Sequence, residues 1–344
     1  MTAHEPLLTI VVPLHNGATH IEATLTSLQN QRDDDFEVVV IDDGSTDDGP
    51  EIALRHPLAS RLVRQSQLGV AVARNRGALE ARGRWLTFLD QDDLWHESRI
   101  ERIRPVLEST ERSFVLTAEK KFADKAEKAA LERLDPGLAG VVDAWIDPRT
   151  EVLDLCGPTS SLDVSGSESQ HDIHHTQLLS ATISMSTSFF IRPTHLRLAG
   201  GWSPHARSID DWWLMVNAAR LEPILVVDQP TLLYRVHVGA TSRTTRYLFP
   251  YATSLLALRF GQNLAGQSDA LTHNVHNDLL DHMVEEIVTS KDYDDPQVRS
   301  FVRNILALLR PEDNRLRTGL RNEFLRHAPW VLEIRHRHAS RERQ

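Results

Sequence analysis

Three carboxylates fall within four residues of "WLTFLDQDDLW": Asp90, Asp92 and Asp93. At an effective dielectric of about 20, two like charges about 4 Å apart cost about 4 kcal/mol. The cluster is therefore either a solvated turn or a place where a cation is held. Mg²⁺ or Mn²⁺ takes oxygen ligands, commonly one or two carboxylates plus the phosphates of a substrate. Asp90 and Asp92 alternate along the backbone, so one can meet a ribose while the other meets a metal. A second acidic pair, Asp210 and Asp211, opens "DDWWLMVNAAR". A carboxylate there can take a proton from a hydroxyl or cap the helix that follows. Arg74 and Arg76 in "AVARNRG" stand near a helix start. They can face a phosphate or form surface ion pairs.

Other chemistries lack their residues. There is no GxxxxGK[ST] loop and no GxGxxG, so neither a P-loop nor the dinucleotide fingerprint is supported. The histidines lack HExxH spacing, and no GxSxG elbow occurs. "HDIHH" (His171, His174, His175) lies in a polar stretch and reads as a solvated loop. Trp202, Trp212 and Trp213 either wall an acceptor site or pack. The basic tail "RHRHASRERQ" reads as disordered, with contact to anionic lipid as the minor alternative.

The elements that must position the acids follow from the apolar pattern. Continuous apolar runs at 7–12, 36–42, 60–65 and 84–90 read as strands. Helical spacing between and after them marks helices at 20–30, 47–58, 70–82 and 97–108. Short continuous strands joined by helices mean parallel pairing with helices on both faces. Ligands in such sheets sit at the carboxyl ends of strands. Three strands end there in polar clusters, "PLHNG", "DDGSTDDG" and "DQDD", all expected on one edge. Residues 119–134 read as a solvated helix, and the Ser-rich stretch 157–176 as a mobile loop. Apolar pattern returns at 183–191 and 223–237, the latter as one strand or two. Beyond about residue 247 the chain turns helical.

Composition bounds the partners. The chain has 344 residues, with 48 acids against 38 bases and a formal charge of −10. That balance does not attract nucleic acid. The single cysteine, Cys156, excludes an intrachain disulfide and a thiolate metal site. The N-terminus lacks a basic n-region, and no run of 18 apolar residues occurs. The expected location is cytoplasmic, with peripheral contact at the inner face of a membrane left open.

Four segments, "TIVVPLHNG", "VVVIDDGSTDDG", "GVAVARNRGALEARGRWLTFLDQDD" and "GGWSPHARSIDDWWLMVNAAR", resemble in this order the family 2 glycosyltransferases of the GT-A fold. The resemblance covers residues 7–243 and is strongest over the first 95. It implies a Rossmann-like α/β fold, a mostly parallel sheet flanked by helices, with a C-terminal helical region. The expected domains are 1–246, split into a nucleotide-binding half (1–118) and an acceptor half (119–246), then 247–344 with its basic tail. The implied activity is inverting transfer from a UDP- or TDP-sugar to an acceptor hydroxyl, with Mn²⁺ or Mg²⁺ as cofactor.

The resemblance also implies roles. Pro13, His15 and Asn16 line the nucleobase pocket, with His15 where a tyrosine is common. Asp43 accepts from the base, while Asp42 instead closes the strand. Arg74 is a donor-site arginine, Asp90 meets the ribose, and Asp92 holds the metal, with Asp93 as the alternative. Asp211 is the general base, and Asp210 replaces the glutamate of the family's pair. His237 in "LLYRVHVGATSR" reaches the metal or diphosphate, and Arg243 clamps the diphosphate. Expected partners are the nucleotide-sugar and a sugar, lipid-linked or small-molecule acceptor, with a homodimer left open. Neither a QxxRW-type motif nor a membrane span accompanies these segments, so single transfers are expected, onto a cell-surface glycan precursor or a small molecule. Two rivals stand beside this reading: a non-catalytic sugar-nucleotide or glycan-binding module, and a sugar nucleotidyltransferase, whose Gly-rich turn is replaced here by "PLHNG".

Overall fold

A computed structural model describes residues 5–58, 61–123, 125–134, 164–180, 188–204 and 210–238. Nearly all of these lie in one unit, 1–178 with 182–205 and 210–240. The expected helical region 247–344 and Arg243 lie outside the described residues.

β1 (Leu8–Leu14) is buried along its whole length. Such a run is stable only between two covered faces, where each Val, Ile or Leu removed from water contributes about 1.5–3 kcal/mol. It pairs in parallel with β2 (Phe36–Asp43) on one side and β4 (Trp85–Phe88) on the other, and β2 carries β3 (Arg61–Gln65) in parallel at the edge. Between them run α1 (Ile21–Gln29), α2 (Gly49–Arg55) and α3 (Val70–Glu80). On α1 the buried Ile21, Leu25 and Leu28 form the stripe that their spacing predicts. α3 approaches β1 very closely at Gly77, where an added Cβ would lie 2.2 Å from Val11 Cγ1. This glycine in "ARNRG" lets the helix carrying Arg74 sit down on the central strand.

The sheet continues as β3-β2-β1-β4-β8-β6-β9-β5. β5 (Leu94–Trp95) is followed by α4 (Arg99–Ser109) and β6 (Phe114–Phe122), and α5 (Lys125–Leu134) comes next. β7 (Gln170–Ile173), α6 (His175–Ser180), β8 (Phe189–Ile191), α7 (Pro193–Leu198), α8 (Asp210–Ala219) and β9 (Ile224–Arg235) complete the order. β8 runs antiparallel between β4 and β6, whereas β6 and β9 are parallel. The sheet is thus parallel through its first four strands and mixed beyond. Among the described residues no helix is long and apolar enough to cross a membrane.

Two expectations are corrected. Residues 119–122 are not helical: they complete β6, whose register shifts between Thr117 and Glu119. Glu119, Lys120 and Lys121 are half-buried there, and burial pushes the Glu119 carboxyl up to about 7. The second correction concerns the polar stretch 157–176, of which 164–176 is described. It contains β7, paired antiparallel with β9. Arg112 donates to Asp172 through Nη2 at 2.6 Å and Nε at 3.2 Å. Ser167 donates through its amide and hydroxyl to Asp228 at 2.8 and 2.6 Å. A ladder of backbone bonds does not require apolar side chains, so "QHDI" carries no strand signal of its own.

Candidate active site

The carboxyl ends of β2, β1 and β4 adjoin, which gathers "PLHNG", "DDGS" and "DQDD" on one edge. On β2, Asp43 is buried at 4% exposure. Its Oδ1 accepts from Gln65 Nε2 at 2.7 Å and from the Leu68 amide at 2.8 Å. Its Oδ2 accepts from the Gly69 amide at 2.7 Å. Asp42 instead accepts from the Ser45 amide at 2.9 Å and so closes the strand end. Gly44, at φ +73°, makes the turn between them and the helix beyond.

Pro13 is buried within β1. His15 accepts at Nε2 from Gln67 Nε2 at 3.0 Å and faces Asn16 Nδ2 at 3.3 Å. Asn16 accepts from the Thr46 amide at 2.8 Å. Gln91, between the acids of "DQDD", reaches across to the His15 backbone, accepting its amide at 2.8 Å and donating to its carbonyl at 3.2 Å. Neither Gln67 nor Gln91 stood out in the sequence, because amide side chains carry no chemical signature until their partners are placed.

Arg74 is 5% exposed at its side chain. Nη2 donates to Asp90 Oδ1 at 2.6 Å and Nη1 to Asp210 Oδ2 at 2.6 Å. Its Cζ lies 4.3 Å from the Trp202 ring centroid. Burial works against the cation, but Asp90 and Asp210 outweigh it and hold the guanidinium protonated. Burial lifts the Asp90 carboxyl above its ordinary range, Arg74 offsets part of this, and Asp92 adds to it. Arg76 pairs with Glu80 at 2.9 Å, an exposed ion pair along the helix.

Asp92 and Asp93 diverge. Asp92 Oδ2 lies 3.0 Å from His237 Nε2. Burial opposes ionisation of Asp92, yet the His237 contact prevails and lowers its pKa. His237 packs edge-on against His20, with centroids 5.2 Å apart. Asp93 is 1% exposed and accepts the Arg235 amide at 2.8 Å. Burial, then Asp92, pushes its carboxyl well above the ordinary range. Arg235 also donates to the Asp92 carbonyl at 2.6 Å and to Glu127 at 3.1 Å. Thus "YRVH" on and after β9 grips the turn by backbone and side chain together. The sequence reading singled out His237 there and passed over Arg235.

Asp211 stands in the first turn of α8, where the helix dipole favours negative charge. Its Oδ1 accepts the Trp212 amide at 2.7 Å. Burial, then the adjacent Asp210, pushes its carboxyl up to about 7, against the pull of Arg74. A carboxyl with that pKa is poised to accept a proton near neutrality. Two of the three tryptophans resolve toward packing, and Trp213 is half-buried. Trp202 is 1% exposed and lies against Phe88 and Phe189. Trp212 is 2% exposed and donates to the Leu178 carbonyl at 2.9 Å. Among the described residues no group of three or more His, Cys, Asp or Glu converges to hold a metal, the "HDIHH" histidines included.

Residues 9–154 match the family described as Glycosyl transferase family 2. A PGL/p-HBAD biosynthesis glycosyltransferase of Mycobacterium tuberculosis is 40% identical over 97 residues, 27% of this chain and 38% of its own. TuaG of Bacillus subtilis, a glycosyltransferase named for teichuronic acid biosynthesis, is 32% identical over 106 residues, 30% of this chain and 42% of its own. The chain thus spans less than half the length of these curated relatives. Among solved structures, a mannosyltransferase of Pyrobaculum calidifontis in complex with GDP-Man and Mn²⁺ superposes with TM-score 0.52 at 19% identity, covering 96% of this chain and 88% of that one. S. aureus TarS in complex with UDP gives 0.51 at 16%, covering 95% and 82%.

Proposed function

Residues 9–154 match Glycosyl transferase family 2 and the fold is shared with a mannosyltransferase, and from that premise we propose that the chain is a family 2 glycosyltransferase that transfers a sugar from a uridine or thymidine diphosphate sugar to an acceptor hydroxyl with inversion. The observation that carries this reading is Asp211, a carboxyl pushed up to about 7 and linked through Asp210 and Arg74 to Asp90 at the strand ends. In the proposed reaction Asp211 takes the acceptor hydroxyl proton. The acceptor oxygen then forms its bond to the anomeric carbon on the face opposite the diphosphate, and the bond to the nucleoside diphosphate breaks. Asp90 meets the ribose. General-base catalysis of this kind contributes about 10²–10⁴-fold.

The base preference rests on lone pairs. Each carboxylate oxygen has about two acceptor sites. Asp43 Oδ1 already receives two donors and Oδ2 one. One acceptor site remains, on Oδ2. It suits the single N3–H of uracil or thymine. Guanine offers N1–H and an amino group side by side and needs both oxygens. The two structural relatives carry UDP and GDP-Man respectively, so they do not choose between the bases.

The donor set at the turn fits a divalent ion. Asp92 would supply a carboxylate oxygen, as Mg²⁺ or Mn²⁺ commonly takes one or two carboxylates plus substrate phosphates, and His237 a nitrogen once its hydrogen bond to Asp92 opens. When bound, the ion offsets the charge of the departing diphosphate. Asp93 gives Oδ1 to the Arg235 amide, and its buried Oδ2 has no hydrogen-bond partner, so Asp93 stays the alternative ligand. The catalytic unit is placed within 1–246, and a role in glycan or glycoconjugate synthesis follows the names of the sequence relatives.

Calorimetry of UDP, TDP and GDP, each with Mn²⁺ and with EDTA, tests the reading. UDP or TDP is expected to bind about tenfold or more tighter than GDP, and more tightly with metal than in EDTA. Equal affinity in EDTA sinks the role of Asp92 and His237, and a preference for GDP sinks the lone-pair argument.

A further inference from the structure

Arg74 joins two acids of the site that lie far apart in sequence. Its two terminal nitrogens each hold a carboxylate at 2.6 Å, Asp90 on one side and Asp210 on the other. One face of the guanidinium lies against Trp202. That ring is fixed in turn by the next residue of α3: Asn75 donates to the Trp202 carbonyl at 2.7 Å and accepts its amide at 2.9 Å. Gly201, at φ +69°, sits so near that an added Cβ would lie 2.8 Å from Asn75 Oδ1. Consecutive residues of "ARN" therefore clamp "GGW" and, across it, the start of α8. Nη1 and Nη2 each give a hydrogen to a carboxylate and Nε is buried with no hydrogen-bond partner, so a phosphate that draws the guanidinium toward itself pulls the fork away from Asp90 or Asp210. Either would be left as a buried charge without its partner, which is strongly unfavourable.

We propose that Arg74 is a positioning residue, a strut between the two halves of the site and not a contact to the donor's phosphates: its fork fixes Asp90 at the donor side and Asp210 at the acceptor side, and through Asp210 it places Asp211. This rests on the reading of Asp211 as base. The two pairings join residues 16 and 136 positions apart in sequence. They link the end of β4 to α8, elements that share no ladder. Lysine cannot replace the fork, because a single ammonium does not present two parallel donors to two carboxylates. The strut also sets the charge around Asp211. The groups that act on it are Asp210 and Asp90, which favour its protonated form, and Arg74, which favours the ionised one. Moving the guanidinium charge away raises the proton affinity of Asp211, and neutralising Asp210 lowers it.

The test uses the full chain with ¹³C-carboxyl-labelled aspartate, and only its transfer control needs an acceptor. The Asp211 resonance is assigned by its loss in Asp211→Asn, and its midpoint is followed in the parent, Arg74→Lys and Asp210→Asn proteins. UDP affinity with Mn²⁺ is measured on the same samples. The expected result is a midpoint about half a unit or more higher in Arg74→Lys and lower in Asp210→Asn, with UDP affinity within about threefold of the parent. An unmoved midpoint in Arg74→Lys together with a loss of UDP affinity of about tenfold or more overturns the strut and makes Arg74 a donor ligand. Should Arg74→Lys fail to fold, Asp210→Asn decides, and an unchanged midpoint there also overturns the proposal. Failure of the base reading looks different: Asp211→Asn would keep transfer while the midpoints still moved.

Discussion

Replacing Asp211 by asparagine makes a prediction about stability that is independent of the reaction. The carboxyl titrates near its ordinary value of 3.8 in the unfolded chain and at about 7 in the fold, raised first by burial and then by Asp210. The fold therefore binds the proton more tightly than the unfolded chain does. Stability from this group is fully present below pH 4, and it is lost as pH rises to 7. Three units at 1.36 kcal/mol each give a ceiling of about 4 kcal/mol, which the partial exposure of Asp211 reduces. About two of those units lie between pH 5 and pH 7, so the predicted loss over that interval is at most about 3 kcal/mol. Asparagine has no proton to lose. Urea unfolding of the parent and of Asp211→Asn at pH 5, 6, 7 and 8 measures the difference. The mutant's relative stability should climb from pH 5 to 7 and then level off. Parallel curves for the two proteins would refute the account of Asp211 as a raised, buried carboxyl, and with it the reason for choosing it as base. In activity, Asp211→Asn should lose about 10²–10⁴-fold in turnover while keeping donor affinity.

Asp43→Ala should weaken UDP binding by about 1.5–3 kcal/mol by calorimetry, the worth of a hydrogen bond to a charged group; unchanged affinity would remove Asp43 from the nucleobase pocket. His237→Ala should weaken Mn²⁺-dependent UDP binding while UDP binding in EDTA is unaltered, and a loss equal in both conditions would make His237 a nucleotide contact alone. Gly77→Ala should destabilise the fold by about 1–3 kcal/mol in urea, because the new methyl meets Val11 at 2.2 Å; a neutral result would show that α3 can lift off β1 at little cost. The amides of residues 170–173 should be among the protected ones in hydrogen exchange because they pair with β9, and exchange at the rate of free peptide would restore the mobile-loop reading.

The sequence by itself determined the first half of the fold. Runs such as "LLTIVV" and "FEVVVID" have one stable environment, a strand covered on both faces, and the helices between them enforce parallel pairing. That topology alone brings the ends of β1, β2 and β4 to one edge, so the cluster of acids was legible before any coordinate. What stood close to Asp43, Asp90 and Asp92 was not. The partners of Arg74 and Asp92 lie 136 and 145 residues further on, at Asp210 and His237, and no local pattern encodes such pairs. Only the packed structure showed that Arg74 is already occupied, that Asp43 has one acceptor site left, and that Trp202 and Trp212 are core. β7 and the end of β6 escaped for a related reason. Their strand character comes from backbone bonds to β9, and those bonds do not depend on which side chains the strand carries. Side-chain pattern reports burial, and where a polar segment is held by its backbone and by ion pairs such as Arg112 with Asp172, that report is silent.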